Sequence, residues 1–440
     1  MKKTVVLLLV IVMILGSIAG ILMYFSSGHG TNSPFADIPA PIIESFTFAD
    51  FTGADLSDMK IENISEILYT FTFDTSTKWP ETEDNSLQLL ANQVMESGKY
   101  LGLGLSELHQ NGVTGKGISV AIIDRTMLKE HEAFQDNLNY FEVSSSSTHE
   151  EELSSHGSAL AGIVGGSSGV APDATLYYFA VSDDEDPYDG YKKAMEKLLD
   201  FQKTLPEEEK IRLVLLALGP DPLQIAADPE GPVKGLADAL NKAKAENIVV
   251  LYPGMQTSLP ITGTGCPPTM NRDEPDNYQV WSWTLAKKQI GDSLQSHNAN
   301  SWDEAIEILK KLLTDMEELN SIQAEAINTF LYIAYVYSDY IEFNDWLESI
   351  MSEPSDLLAA PSDFIAVPNS HGPQQYTYYG SGILDWSTAY VAGLVTLGFQ
   401  VNPTLTENQI FQALWESGTP FYGTSRLVCP LEFIRAIGEA

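Results

Sequence analysis

Two side chains have a type and a setting suited to acid–base chemistry, and a third stretch is shaped to present one. Asp124 closes the apolar run 118–123, which reads as a fully buried parallel strand. A carboxylate at the C-terminal end of such a strand lies where α/β folds place their ligands, although alone it serves equally well as a turn residue or a helix cap. His156 follows, opening a stretch rich in small residues (Gly157, Ser158, Ala159, Ala161, Gly162) that lets a helix pack closely on a sheet. An imidazole can take and return a proton near neutral pH, whereas a lone histidine at a helix start is more often a cap. Residues 381–399 read as a glycine-containing turn running into an apolar helix. Such a turn presents one side chain at a helix N-terminus, where a nucleophile usually sits.

The order and spacing of these segments resemble a known pattern. Gly115-Lys116-Gly117 through Asp124 resembles its acid motif. His156-Gly157-Ser158-Ala159-Leu160-Ala161-Gly162 with Gly169-Val170-Ala171-Pro172-Asp173-Ala174 resembles His-Gly-Thr-His-Val-Ala-Gly followed by Gly-Val-Ala-Pro-x-Ala. Asp356-Leu357-Leu358-Ala359-Ala360-Pro361 resembles Asp-Leu-Ala-Ala-Pro-Gly, and Tyr390-Val391-Ala392-Gly393 resembles the end of Gly-Thr-Ser-x-Ala-x-Pro-His/Tyr-Val-Ala-Gly. On these motifs residues 98–440 resemble the subtilisin-like serine peptidases, the subtilases, as a degenerate member. The resemblance implies an α/β fold, a subtilisin-like three-layer sandwich with a mostly parallel central sheet, and an Asp-His-Ser triad in that chain order. Asp124 would be the acid that orients the imidazole and His156 the general base. Counted back without gaps from Tyr390, the serine of the motif falls on Asp385.

Other departures accompany Asp385. Arg125-Thr126 stands where the family has Thr-Gly, and Ser158-Ala159 where it has Thr-His; both affect packing more than chemistry. Ala217-Leu218-Gly219 occupies the place of the family's substrate strand, Ser-Leu-Gly, whose β-augmentation of a bound peptide needs mainly backbone groups. Met255 stands at the oxyanion position, where the family has an asparagine amide. Methionine has no donor, and losing one such donor costs about 10² to 10³ in turnover. Ser387, two positions past Asp385, points about 200° away around a helix; Ser381, ahead of the turn, is less excluded. A carboxylate attacking an amide would form a high-energy anhydride, so Asp385 is a poor substitute for serine.

The expectation is a catalytically impaired pseudopeptidase that binds peptide or protein in its cleft. The alternative is an active serine-type endopeptidase using a displaced serine. Asp124, His156 and Asp385 also have the chemistry of a divalent-metal ligand set, although a triad geometry is not built for metal. No cofactor is required, and calcium as a structural counter-ion is compatible with the composition. Flanked by two carboxylates, His156 should have a pKa above its usual value near 6.5.

The rest of the chain must position and deliver these groups. With 440 residues, 44% hydrophobic and 19% charged, it is globular in composition. Its 24 basic residues against 60 acidic ones give a net charge of -36, which excludes nucleic acid and anionic lipid as partners. Residues 4–25 are 22 residues without a charge, behind Lys2 and Lys3. That is enough to span a bilayer core of about 30 Å and orient the remainder outside the cytoplasm. An uncleaved anchor is favoured over a signal peptide because the apolar run is long and bulky Met23-Tyr24-Phe25 makes a poor cleavage site. The protein is thus expected to be extracytoplasmic, held in the membrane by 4–25, or secreted if that segment is cleaved. The organisation read from the sequence is an anchor or signal (1–30), an N-terminal extension (31–97) and a subtilase-like domain (98–440) interrupted by a helical insertion (290–353). Residues 67–73 of the extension read as a half-buried strand. Ser301 and Glu304 read as a capping box opening the insertion, whose face packs on the sandwich or on a protein partner. Cys266 and Cys429 are the only cysteines, either a disulfide or two free thiols.

Overall fold

The computed structural model describes residues 49–58, 68–80, 86–134, 137–143, 153–182, 186–220, 222–254, 260–314, 321–338, 341–352 and 356–438. The expected anchor at 4–25 and the oxyanion position Met255 lie outside the described residues. Among the described residues no helix is long and apolar enough to cross a membrane.

The described part of the extension supplies β1 (Phe73–Asp74) and is followed by α1 (Ser86–Lys99) and α2 (Leu105–Gln110). The core then alternates strand and helix: β2 (Ser119–Arg125), β3 (Leu138–Glu142), α3 (Ser155–Gly165), β4 (Thr175–Val181), α4 (Pro187–Gln202), β5 (Ile211–Leu216), α5 (Pro232–Ala245) and β6 (Val249–Leu251). These five later strands form an all-parallel sheet in the order β3-β4-β2-β5-β6. Strands β2, β4 and β5 are continuous runs of Val, Ile, Leu, Ala and aromatic residues buried along almost their whole length. Such runs suit strands covered on both faces by helices. The expected α/β architecture with a parallel sheet is therefore present.

The second half adds β7 (Ile261–Gly265), β8 (Gln279–Val280), the helices α6 (Ser282–Ser296), α7 (Trp302–Thr314), α8 (Ser321–Tyr337) and α9 (Phe343–Met351), then β9 (Leu358–Asp363), β10 (Ile365–Pro368) and β11 (Tyr376–Tyr379). It closes with α10 (Leu384–Val401), α11 (Glu407–Ser417), β12 (Thr419–Pro420), β13 (Arg426–Leu427) and α12 (Pro430–Gly438). Helices α3 and α10 pack on each other and on the strands, while α4 and α5 pair as a separate layer. Beside this parallel sheet, β7 joins a second five-stranded sheet, β12-β13-β9-β7-β8, and is not hydrogen-bonded to β6. β6 is only three residues long, and Gly254 just after it has φ of 105°, a left-handed turn that carries the chain off the ladder.

Helices α6 to α9 bury their own apolar faces. Trp346 is fully buried and its ring lies 4.7 Å from Trp302 and 5.1 Å from Phe330. The expected capping box at the head of α7 is shifted by one residue on its return half. Ser301 Oγ accepts from the Glu304 amide, but Glu304 Oε2 accepts from the Asn300 amide at 2.7 Å. At α11 the box between Thr406 and Gln409 is complete. Cys266 and Cys429 are both free thiols.

The strand expected at 67–73 is mostly something else. Leu68–Thr70 is a 3-10 turn, and only Phe73–Asp74 joins a sheet, pairing antiparallel with β11. Alternation fails because the segment is covered on both sides: Leu68, Phe71, Phe73 and Trp79 share a second core with Leu87 and Val94 of α1, Phe364 and Tyr378. The Gly380 amide donates to the Phe71 carbonyl, and a Cβ at Gly380 would stand 2.0 Å from the Thr70 carbonyl oxygen. Glycine is therefore required where this segment crosses the chain entering α10. Phe73 is 2% exposed, so Phe73→Ala should lower the unfolding free energy by about 3–5 kcal/mol, read by guanidinium denaturation of the purified chain. A loss well under 1 kcal/mol would mean that the segment is not part of the folded core.

Candidate active site

Asp124 ends β2, the strand at which the sheet order reverses, and there the carboxyl ends of neighbouring strands leave a crevice. His156 lies in the first turn of α3 and Asp385 in the first turn of α10. The fold brings the three together. Nδ1 of His156 lies 2.6 Å from Asp124 Oδ2, and Nε2 lies 3.2 Å from Asp385 Oδ1. Asp124 is 2% exposed, Asp385 is fully buried, and only about a tenth of the imidazole reaches solvent.

The two carboxylates are held differently. Asp124 Oδ1 accepts from the Arg125 amide at 2.8 Å and from the Tyr191 hydroxyl at 3.1 Å. Against the cost of burial, the charge and hydrogen bond of His156 hold its pKa below the usual carboxylate range. Asp385 has only the imidazole, and its Oδ2 is buried with no hydrogen-bond partner among the described residues. Burial, with repulsion from Asp124, pushes its pKa up despite His156. Burial opposes charging the imidazole, but the charge and bond of Asp124, then those of Asp385, outweigh it and push His156 up to about 10. The rise expected from two flanking carboxylates is thus present.

Neighbouring groups fix the turn and the ring. Asp363 at the end of β9 accepts from the Gly382 amide on Oδ1 and from the Ser282 amide on Oδ2, both at 2.8 Å, and burial pushes its pKa up to about 6. Trp281 Nε1 donates to the Gly382 carbonyl and Ser362 Oγ to the Ile383 carbonyl. These bonds tie the approach to α10 to the start of α6. Trp386 lies beside the imidazole, ring centroids 5.1 Å apart, and Tyr379 backs it at 5.5 Å. Ser158 bonds Ser370 at 2.9 Å between hydroxyls.

The serines considered as replacements are engaged elsewhere. Ser387 Oγ donates to the Ala360 carbonyl at 3.0 Å, as its turn away from Asp385 predicts, and Ser381 Oγ pairs with Ser282 Oγ at 2.9 Å. Ala217, Leu218 and Gly219 follow β5 near the same end of the sheet, with the Ala217 amide bonded to the Ile123 carbonyl. The two carboxylates meet opposite nitrogens of one imidazole, so their donors diverge. Among the described residues no group of three such side chains is arranged to hold a metal ion.

Comparison with known proteins adds one decisive match: residues 115–265 fit the model of the subtilase family, peptidase S8. That segment belongs to the subtilase family. It carries Asp124 and His156 of the subtilase arrangement and ends before Asp385. Among solved structures, the prenylagaramide maturation protease PagA is similar over 76% of this chain and 98% of its own, at 14% identity and a TM-score of 0.43. No curated protein matches.

Sequence reasoning missed Tyr191, Trp386, Tyr379 and Asp363. Tyr191 lies on the buried face of the amphipathic helix α4, where it reads as core. Asp363, two residues past the Ala359-Ala360-Pro361 motif, was the one available signal: an acid inside a buried strand.

The pKa shifts fix a pH dependence. His156 has a folded-state pKa above its unfolded value near 6.5, so its contribution to stability is fully present below pH 6.5 and is lost as pH rises through about 10. Asp385, whose pKa is also raised, acts in the same direction, costing stability once pH exceeds its unfolded value near 3.9. In an NMR titration of ¹⁵N-histidine protein the His156 ring should titrate near pH 10, and Asp385→Asn should lower that midpoint by removing one flanking charge. A wild-type midpoint at or below 6.5 would show that the carboxylates do not grip the ring.

Proposed function

We propose that this protein is an extracytoplasmic, membrane-anchored pseudopeptidase of the subtilase family, which binds peptide or protein in its cleft without hydrolysing it. One observation carries this: Asp385, not a serine, stands 3.2 Å from His156 Nε2. A hydroxyl there would give its proton to the imidazole and attack a carbonyl. A carboxylate there has no proton to give when ionised and holds the imidazole in its charged form. Met255 at the oxyanion position removes a second element of hydrolysis. Export and anchoring rest on residues 4–25, and ligand binding on the strand Ala217-Leu218-Gly219. The alternative of a displaced serine gains no support from Ser381 or Ser387, whose hydroxyls bond other partners.

A fluorophosphonate probe separates the two. The wild type should stay unlabelled, while Asp385→Ser should label one serine, about 10² to 10³ slower than a complete enzyme because no amide replaces Met255. Stoichiometric labelling of a serine in the wild type would overturn the pseudopeptidase assignment.

A further inference from the structure

The carboxyl ends of β5 and β6 are neighbours in the sheet, with Leu215 paired to Leu251. Beyond them lie Gly219, after β5, and Tyr252, after β6. In an open α/β sheet a ligand enters the crevice outside such strand ends, and a peptide laid along Ala217-Leu218-Gly219 would send side chains into the space beside that strand. The space beside Gly219 is not empty. A Cβ built on Gly219 would stand 1.9 Å from Cδ2 of Tyr252, 2.4 Å from Cε2 and 2.6 Å from Cγ. The aromatic ring therefore lies directly against the glycine's α-carbon, on the side where any other residue would carry its side chain. No residue but glycine permits this contact, and no smaller residue at 252 would make it. Tyr252 is half-buried, and the flanking Ala217 and Leu218 are each 7% exposed, so the ring closes a wall that is already apolar.

We propose that Tyr252 is the specificity-determining residue of the cleft: its ring fills the slot beside Gly219 and restricts bound peptides to glycine at the position that crosses it. This rests on the peptide-binding function proposed above. A side chain brought to that slot would have to displace a packed aromatic ring, whereas a glycine need only lay its backbone along the strand. The cleft would thus select an extended, small-residue segment and not a bulky anchor.

The test uses the full chain in detergent and fluorescein-labelled, end-capped pentapeptides of glycine and alanine, with one phenylalanine moved through every position. Binding is read by fluorescence anisotropy for wild type, Tyr252→Ala and Tyr252→Leu. The leucine variant keeps an apolar side chain in the wall should the alanine variant fail to fold. The wild type should bind the parent peptide and discriminate by about tenfold or more against phenylalanine at one position. Both variants should relax that discrimination at that position alone, the leucine variant in part. Wild-type binding with an unchanged phenylalanine profile in the variants would overturn the role of Tyr252 and leave the peptide-binding function standing. Absence of binding to every peptide by all three proteins would overturn that function, and this inference with it.

Discussion

A protonated imidazole withdrawn from water and gripped by two carboxylates is the interaction on which the site depends. Moving an ion into a low-dielectric interior costs several kcal/mol, which close partners must offset. His156 has a carboxylate oxygen at each ring nitrogen. The offset is uneven. Asp124, with an amide, a hydroxyl and the imidazole around it, is fixed as a charge, whereas Asp385, with one bond and a bare buried oxygen, resists ionisation. Removing His156 would leave two carboxylates facing each other without a cation, so the three groups are one electrostatic unit and not three independent residues.

That unit requires three elements from distant parts of the chain to meet within a few tenths of an ångström. β2 is locked between β4 and β5 in the middle of the parallel sheet, which fixes Asp124. α3 approaches closely enough to carry His156 because its small residues allow it; at Gly157 an added Cβ would fall 1.9 Å from the Tyr178 hydroxyl. Asp385 depends on the turn before α10, and that turn is held from two sides. The extension reaches Gly380 through the Phe71 carbonyl, and Asp363 clamps Gly382 to Ser282, the first residue of α6. Regions that bring no chemistry of their own thus set the position of Asp385.

How much of this was legible in the sequence follows from the range of each interaction. Asp124 and His156 sit in local motifs whose glycines, small residues and strand runs fix their own conformation, so they could be located directly. Asp385 could be located because an unbroken helix carries the count back from Tyr390. The helical character of 290–353 was legible from the capping residues Ser301 and Glu304, since a cap needs no tertiary information. The strand expected at 67–73 failed for the converse reason: burial on both sides by β11 and α1 is a tertiary fact that erases the alternation a lone strand would show. The second sheet carried no sequence signal, because the ladder ends at Gly254 through one backbone angle. Tyr191 and Tyr252 carried no signal because a core tyrosine and a site tyrosine have the same sequence pattern; only their neighbours distinguish them.

The same electrostatics sets the protonation state of the imidazole. A general base must be neutral to accept a proton, and an imidazole with a pKa of about 10 is neutral in roughly one molecule in 10³ at pH 7. Asp124 is the larger cause of the raised His156 pKa, and Asp385 adds to it. The Asp385 carboxylate is the element that makes the arrangement a closed ion pair instead of an idle triad.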